Sequence, residues 1–237
     1  MNAARLRALA VLAIAALAAA ALALTTIQRE RVPRERPTLL LLTSLPLLFN
    51  EDFSLQGGGS KTLTELQKQY RLVPISVTDT PELGKGRLLL MAHPLAQTAE
   101  NLVALDAWVR RGGRVLLLAD PLLEWPSKRP LGDPLRPPPM FMDTGLLAHW
   151  GLRLDTPVQR GPQERQLGGY TVLTVSPGEL SGACAISGDR LVARCRIGKG
   201  FATVVADADF LDSDRLGPKA EHNLDGLDTE LASLSRM

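Results

Sequence analysis

The sequence predicts an α/β protein: a doubly wound, mostly parallel sheet with helices on both faces, a C-terminal β-hairpin region and one N-terminal transmembrane helix. Three observations lead to this fold class. Apolar runs of strand length alternate with amphipathic helical segments over residues 38–119, which is typical of a parallel sheet covered by helices. Strand-like flanks enclose the turn sequence at 187–190, which predicts the hairpin. An unbroken apolar run lies at 8–24, and no later segment resembles it.

The N-terminal region divides into a short basic N-terminus (1–7), a transmembrane helix or signal anchor (8–27) and a charged tether (28–37). About 20 apolar residues are enough to span a hydrocarbon core of roughly 30 Å. A cleaved signal peptide is the alternative, because the sequence Ala-Leu-Ala at 21–23 forms a small-residue cleavage site. The apolar run is longer than most signal-peptide cores, which favours the anchor.

The basic residues around the apolar run give a mixed indication of orientation. Two arginines precede the run and four follow it within the tether. Counted alone, these charges place the body in the cytoplasm. The basic-then-apolar start is typical of export, and the cysteines described below favour an oxidising compartment. We therefore expect a single-pass protein of the inner (cytoplasmic) membrane, with its body in the periplasm or another extracytoplasmic space.

The body is predicted as one α/β domain at 38–215 and a C-terminal tail with an amphipathic helix at 216–237. The first half is predicted to contain strands at 38–45, 71–77, 87–92 and 114–119 and helices at 62–70 and 97–111. The second half is predicted to contain a short helix at 144–150, strands at 170–175, 183–186, 191–197 and 201–207, and a final helix at 223–234. Between the halves, residues 125–139 hold six prolines and are predicted as an irregular loop.

Composition excludes several classes of function. The formal net charge is only +2 and aromatic residues make up 4% of the chain, so neither a basic field nor a stacking platform points to nucleic acid. The sequence at 57–62 superficially resembles a phosphate-binding loop, but Ser60 stands where that motif needs a second glycine. No cofactor is expected.

The two cysteines, Cys184 and Cys195, flank the predicted hairpin turn. Residues equally far from such a turn face each other across the two strands, so a disulfide is expected. Two unrelated thiols are the alternative, because a small error in turn register separates the sulfur atoms. Neither cysteine has the additional Cys or His neighbours of a zinc motif.

Candidate ligand-binding residues follow the ends of predicted strands. Asp120, Asp207 and Asp209 each come after an apolar strand, and His93 follows another. Because ligands of open α/β sheets bind at the carboxyl ends of the strands, these side chains form a candidate ligand edge. Clustered carboxylates can hold Mg²⁺ or Ca²⁺, but the spacing departs from known motifs and no metal is predicted. The alternative is that the aspartates cap turns and helices and that His93 is a loop residue.

Several short motifs occur in an order that resembles the GldG-like (gliding-motility-type) family of ABC-transporter auxiliary proteins. The motifs lie at 39–42, 108–113 (WVRRGG), 119–121 (ADP), 147–151 (LAHWG), 198–200 (GKG) and 204–211 (VVADADFL). The resemblance covers most of residues 38–215. It implies a fold similar to class I glutamine amidotransferases, and an extracytoplasmic domain beside the permease and ATPase subunits of an ABC transporter.

The catalytic machinery of such a fold is missing from the sequence. Amidotransferase chemistry needs a Cys on a sharp strand-to-helix turn with a nearby His. The turn after the third strand reads Met-Ala-His-Pro at 91–94 and contains no nucleophile. We therefore expect a non-enzymatic, membrane-anchored accessory or binding domain of an ABC-type transport system. The alternatives are a periplasmic hydrolase or metal-assisted enzyme that uses the acidic edge, and an envelope sugar-binding module.

Overall fold

The computed structural model of the protein describes residues 36–48 and 59–237. The predicted anchor at 8–27 lies outside these residues, as does most of the tether. Within the part of the chain that is described, no helix is both long enough and apolar enough to cross a membrane. Pro37–Met237 form one compact unit.

Eleven strands and six α-helices make up the described body, with two short 3₁₀ turns after the last strand. The strands are β1 (Thr38–Thr43), β2 (Arg71–Pro74), β3 (Leu88–Ala92), β4 (Arg114–Leu118), β5 (Leu152–Asp155), β6 (Pro162–Leu167), β7 (Tyr170–Val175), β8 (Glu179–Gly182), β9 (Ala185–Ile186), β10 (Val192–Ile197) and β11 (Gly200–Val205). The helices are α1 (Lys61–Gln69), α2 (Thr80–Leu83), α3 (Ala99–Arg110), α4 (Leu146–His149), α5 (Ser213–Leu216) and α6 (Asn223–Arg236).

The central sheet has seven strands in the order β2-β1-β3-β4-β11-β10-β9. The first five strands run parallel to one another, whereas β10 pairs antiparallel with both β11 and β9. This arrangement confirms the predicted α/β class and the mostly parallel sheet. Every residue of β3 is buried, as are the four central residues of β1 and all but one residue each of β4 and β11, which explains why these strands have nearly continuous apolar sequences.

Two small antiparallel ribbons lie outside the central sheet and include three strands that were not predicted. One ribbon pairs β5 with β8, and the other pairs β6 with β7. Strand β6 has the sequence Pro-Gln-Glu-Arg-Gln-Leu, and only its last residue is fully buried. It therefore lacks the apolar pattern on which strand prediction depends, and its pairing with β7 determines its conformation.

The C-terminal helix α6 lies in the segment 216–237, which was predicted as a tail with an amphipathic helix, and it packs against β4 and β7. Its leucines recur at three- and four-residue spacing and are almost completely buried: Leu224, Leu227, Leu231 and Leu234. On its flank, the buried Glu230 carboxylate forms an ion pair with Arg194 of β10. The helix is thus part of the same core as the sheet.

Candidate functional site

Four side chains selected from the sequence lie at the ends of three neighbouring parallel strands. His93 follows β3, Asp120 lies two residues after β4, and Asp207 and Asp209 follow β11. Because β3, β4 and β11 are adjacent and parallel, their carboxyl ends meet at one edge of the sheet. All four side chains are completely buried at this edge.

Asp120 connects the loops that follow β4 and β11. Its Oδ2 atom accepts hydrogen bonds from the backbone N–H groups of Ala208 (2.8 Å) and Asp209 (3.4 Å), and its Oδ1 atom accepts one from Leu122 (2.9 Å). Burial raises the pKa of the Asp120 carboxyl to about 6 against the lowering effect of these donors. The carboxylate therefore serves as a bridge between two backbone segments.

Asp207 connects β11 to the second ribbon. Its Oδ2 atom accepts a hydrogen bond from the Val175 N–H at the end of β7, and its Oδ1 atom accepts one from the Phe210 N–H, both at 2.9 Å. Burial raises the pKa of Asp207 well above its usual value, and the neighbouring charges of Asp120 and Asp209 raise it further. The negative charges of Asp120 and Asp209 therefore disfavour ionisation of Asp207.

Asp209 is the member of the cluster that contacts a cation. Its Oδ2 atom accepts a hydrogen bond from the Glu124 N–H (2.7 Å), and its Oδ1 atom lies 3.3 Å from the Arg215 guanidinium. Burial and the charge of Asp120 raise the pKa of Asp209 to about 7. Arg215 also pairs with Asp212 at 2.7 Å, so its charge is shared between two carboxylates.

His93 occupies a strained turn at the end of β3. Its φ of +46° is unusual for a residue with a side chain, and the Ser44 hydroxyl donates a hydrogen bond to its carbonyl oxygen. The ring Nε2 lies 2.9 Å from the carbonyl oxygen of Pro138, whereas Nδ1 is buried and has no partner among the described residues. Burial lowers the pKa of His93 to about 4, so the neutral ring donates to Pro138 through Nε2.

The edge is covered by residues 121–142, which we call the strap. This segment contains the predicted proline-rich loop and has no helix or strand. A hydrogen bond from the Leu123 N–H to the Pro139 carbonyl (2.9 Å) joins the first and last parts of the strap. A second bond, from the Phe141 N–H to the Asp120 carbonyl (2.6 Å), holds its C-terminal end. With the bonds from Asp209 and His93, the strap is attached to the edge at both ends.

One residue at this edge was missed by sequence reasoning. Ser176 follows β7, has a φ of +50° and is completely buried. Its hydroxyl donates to the Glu124 carboxylate and accepts a hydrogen bond from the Gly161 N–H (2.8 Å). The only signal in the sequence is the turn sequence Val-Ser-Pro-Gly after a strand, which gives no indication of the partner residues.

The chemistry of the edge is that of a hydrogen-bonded structural cluster. Each of the three aspartates accepts at least one backbone N–H, and none is exposed to solvent. Within the described residues, no group of three or more His, Cys, Asp or Glu side chains has the geometry to hold a metal ion. The structure brings the three aspartates together. Among the described residues His93 forms no hydrogen bond to their carboxylates and instead contacts the Pro138 carbonyl of the strap.

The cysteines lie in the hairpin formed by β9 and β10. Ala185 pairs with Arg194, and the next residues outward, Cys184 and Cys195, are joined by a disulfide with a Cα–Cα distance of 4.9 Å. Cys195 is buried in the sheet, and the Cys184 sulfur lies 3.6 Å from the Trp150 carbonyl oxygen. Both cysteines are therefore part of the structural framework, and neither lies at the end of a parallel strand.

A family model described as an ABC-type uncharacterized transport system matches residues 36–163, just over half of the chain. The chain belongs to the ABC-transporter auxiliary family. The match covers β1 to β4 together with the strap, so it includes His93 and Asp120. Membership of the auxiliary family supports an accessory role in transport, in association with an ABC transport system.

Solved structures give only weak likenesses to this auxiliary protein. An exo-β-1,4-mannosidase from Opitutaceae bacterium strain TAV5 is 14% identical, with a TM-score of 0.48 over 88% of this chain and 38% of its own. A β-galactosidase from Bacillus circulans sp. alkalophilus is 13% identical, with a TM-score of 0.47 over 87% of this chain and 32% of its own. A cytoplasmic protein from Salmonella typhimurium is 10% identical, with a TM-score of 0.48 over 83% of this chain and 98% of its own.

The chain therefore spans between a quarter and two fifths of the length of the similar glycosidases. With TM-scores below 0.5, these likenesses carry no argument about activity. Among curated proteins, none matches the chain.

Proposed function

We propose that the protein is a membrane-anchored, extracytoplasmic and non-catalytic accessory domain of an ABC-type transport system, related to the GldG-like proteins. The observation that carries the proposal is the closed edge of the sheet. The position where open α/β proteins bind ligands is filled by Asp120, Asp207 and Asp209, whose carboxylates accept backbone hydrogen bonds, and it is covered by the strap.

The burial of these side chains among the described residues supports the non-catalytic part of the proposal. A catalytic acid or base must reach a substrate atom at hydrogen-bond distance, directly or through one water. A groove of about 480 Å³ lies between α3 and the start of α4, and one of about 450 Å³ lies near the glycines after α3. Neither groove is lined by any of the three aspartates or by His93.

An acid–base enzyme is the second candidate, and one observation favours it. The raised pKa values of Asp120 and Asp209 fall near neutrality, and perturbed carboxyls of this kind occur often in active sites. The experiment is to screen the protein against amide, ester, phosphoester and glycoside substrates, with and without Mg²⁺ or Ca²⁺. Turnover that disappears in Asp120→Asn or Asp209→Asn, with an unchanged thermal midpoint, would favour the enzyme over the accessory domain.

The extracytoplasmic location rests on the N-terminal sequence and the cysteine pair. The apolar run at 8–24 is preceded by basic residues, and the Cys184–Cys195 bond suits an oxidising compartment. Alkaline phosphatase and green fluorescent protein should be fused separately after Met237. An active phosphatase fusion and a non-fluorescent protein fusion are expected; the reverse pair of results would contradict export.

The transport role is tested through its partners. The family description implies an ABC system, so permease and ATPase subunits are the expected partners. The experiment is in vivo cross-linking of the full chain in its own membrane, followed by identification of the adducts by mass spectrometry. Adducts with an ABC permease are expected, and a chain that yields adducts only with unrelated proteins would contradict the accessory role.

A further inference from the structure

Two of the most exposed leucines in the described structure lie four positions apart in the strap. Leu131 has 82% of its surface exposed and Leu135 has 61%. Scattered apolar residues on a surface need no explanation, but two leucines held within one loop form a local apolar surface. We call the segment 127–136, which carries both, the tip of the strap.

The tip is held in one conformation by its own hydrogen bonds. The Asp133 N–H donates to the Pro130 carbonyl (3.2 Å), and the Arg136 N–H donates to the Asp133 carbonyl (3.0 Å), which gives two consecutive turns. The Asp133 carboxylate also accepts a hydrogen bond from the Leu135 N–H (2.8 Å). Proline at 130 and 134 further restricts the backbone. The leucines are thus presented by a preordered loop, which lowers the entropic cost of binding.

The charge of the tip is mainly positive. Lys128, Arg129 and Arg136 are its cations, and Asp133 is its one carboxylate. The Arg136 guanidinium donates to the Arg129 carbonyl, and Arg129 pairs with Asp133 at 3.5 Å, so these two arginines lie at the base of the two turns. An apolar tip in a segment of net positive charge is complementary to a lipid interface that contains anionic headgroups.

The strap also transmits a contact at its tip to the body. It is attached to the edge of the sheet through the His93 ring, the Asp209 carboxylate and the Asp120 carbonyl. Binding of the tip to a surface therefore also restricts the position of the body, because the strap is attached to the sheet. The membrane anchor of the proposed function favours a second contact with the same membrane, because a tether raises the effective concentration of the surface.

We propose that the tip of the strap inserts Leu131 and Leu135 into an anionic lipid interface, and thereby gives the body a second attachment to the membrane. The proposal rests on the membrane anchor of the proposed function. The alternatives, contact between two copies of this chain and a surface that stays in water, are outcomes of the test below.

The test uses the full chain reconstituted into vesicles that contain anionic lipid. Leu131→Cys is labelled with an environment-sensitive nitrobenzoxadiazole dye, while the disulfide keeps Cys184 and Cys195 unreactive. Val158→Cys is the matched control, because Val158 is 81% exposed and lies outside the strap. The dye at 131 is expected to show a blue-shifted emission that lipids brominated in their acyl chains quench, and the dye at 158 is expected to show neither effect.

Charge dependence gives a second measurement. Removal of one cation near an anionic surface is expected to lower the ratio of inserted to free tip about fivefold, so Lys128→Gln should reduce the blue-shifted fraction at 131. Purely neutral vesicles should reduce it further. Lys219→Gln, an exposed cation outside the strap, should leave that fraction unchanged.

Three results would overturn the proposal, and flotation of the vesicles distinguishes them. If the chain floats with the vesicles but the two dyes behave alike, the tip does not insert and the anchor stands. If brominated lipids do not quench the blue-shifted emission at 131, and this emission increases with the protein-to-lipid ratio, the leucines contact a second copy of the chain. If the chain does not float with the vesicles, residues 8–27 do not anchor it, and the proposed membrane contact of the tip is refuted as well.

Discussion

The Asp209 carboxylate accepts a 2.7 Å hydrogen bond from the backbone N–H of Glu124, a residue 85 positions earlier in the chain. This bond attaches the N-terminal end of the strap to the turn that follows β11. The backbone carbonyl of Asp120 accepts a hydrogen bond from the Phe141 N–H and so holds the C-terminal end of the strap. Two aspartates at one sheet edge therefore hold both ends of the segment that covers them.

Substitution of Asp209 should separate its hydrogen-bonding role from its charge. In Asp209→Ala the Glu124 N–H loses its acceptor, and we expect the free energy of unfolding to fall by about 1–3 kcal/mol. Asp209→Asn keeps an acceptor oxygen and removes a charge that is repelled by Asp120, so its effect at pH 8 should be much smaller. Urea denaturation measures both. The exposed Asp214→Ala is the control, expected within about 0.5 kcal/mol of the parent; an equal loss in Asp209→Ala and Asp214→Ala would refute the role of the bond.

The aspartate cluster should make the fold less stable as the pH rises. The pKa values of Asp120 (about 6) and Asp209 (about 7) in the folded protein exceed the ordinary value of about 4, so the folded state binds more protons between pH 4 and 7. Their contribution to stability is present at about pH 4 and is lost as the pH rises to 7. His93, with a pKa of about 4, acts in the opposite direction over pH 4–6.5.

The pH dependence of the parent protein combines the opposing effects of the aspartates and His93. Comparison of the parent with a variant isolates the contribution of one carboxyl. Asp209→Asn should lose less stability than the parent protein when the pH is raised from 5 to 8. Thermal midpoints measured across this range provide the comparison. A parent and variant with parallel profiles would show that the Asp209 carboxyl does not titrate in this window.

The disulfide should stabilise the hairpin at the end of the sheet. Cys184 and Cys195 are separated by 11 positions, and closure of such a short loop contributes about 2–3 kcal/mol in the chain-entropy model. The double variant Cys184→Ser/Cys195→Ser is expected to lose this amount in urea denaturation, while the parent under reducing conditions behaves like the variant. Mass spectrometry of non-reduced protein from its native compartment should find the linked peptides; two alkylatable thiols would contradict the bond.

Gly200 should be intolerant of a side chain because β11 begins against the end of α3. A Cβ atom at this position would lie 2.1 Å from the Val109 carbonyl oxygen and 2.2 Å from that of Gly113. We expect Gly200→Ala to cost about 1–3 kcal/mol, in the range of overpacked cores. Gly188→Ala is the control, since no atom lies within 4 Å of its Cβ position. Equal thermal midpoints for the two variants would mean that α3 and β11 separate easily.

The sequence was sufficient to predict the part of the fold that is buried on both faces. Strands β1, β3, β4 and β11 are nearly continuous apolar runs, and parallel strands bring their carboxyl ends to one edge. The convergence of Asp120 with Asp207 and Asp209 follows from this order of strands. The prediction of these strands was confirmed because a strand that is buried on both faces has an almost continuously apolar sequence.

Most partners of the aspartates could not be predicted, since they are backbone groups. The donors to Asp120 and Asp209 include the N–H groups of Ala208 and Glu124, which come from distant parts of the chain and have no sequence signature. The sequence likewise gives no indication of the left-handed conformation of Ser176, because Ser is not a residue type that indicates positive φ. Tertiary contacts, rather than local propensity, determine these features.

The central claim is that the acidic edge is closed, and carbodiimide labelling in the presence of an amine measures its accessibility directly. The native protein is labelled, and each carboxyl is quantified by peptide mass spectrometry. The account predicts that Asp120, Asp207 and Asp209 stay unmodified until the protein is denatured, whereas the exposed Asp214 reacts readily. Native-state modification of Asp120 or Asp209 at a rate similar to that of Asp214 would contradict a closed edge and would reopen the enzymatic interpretation.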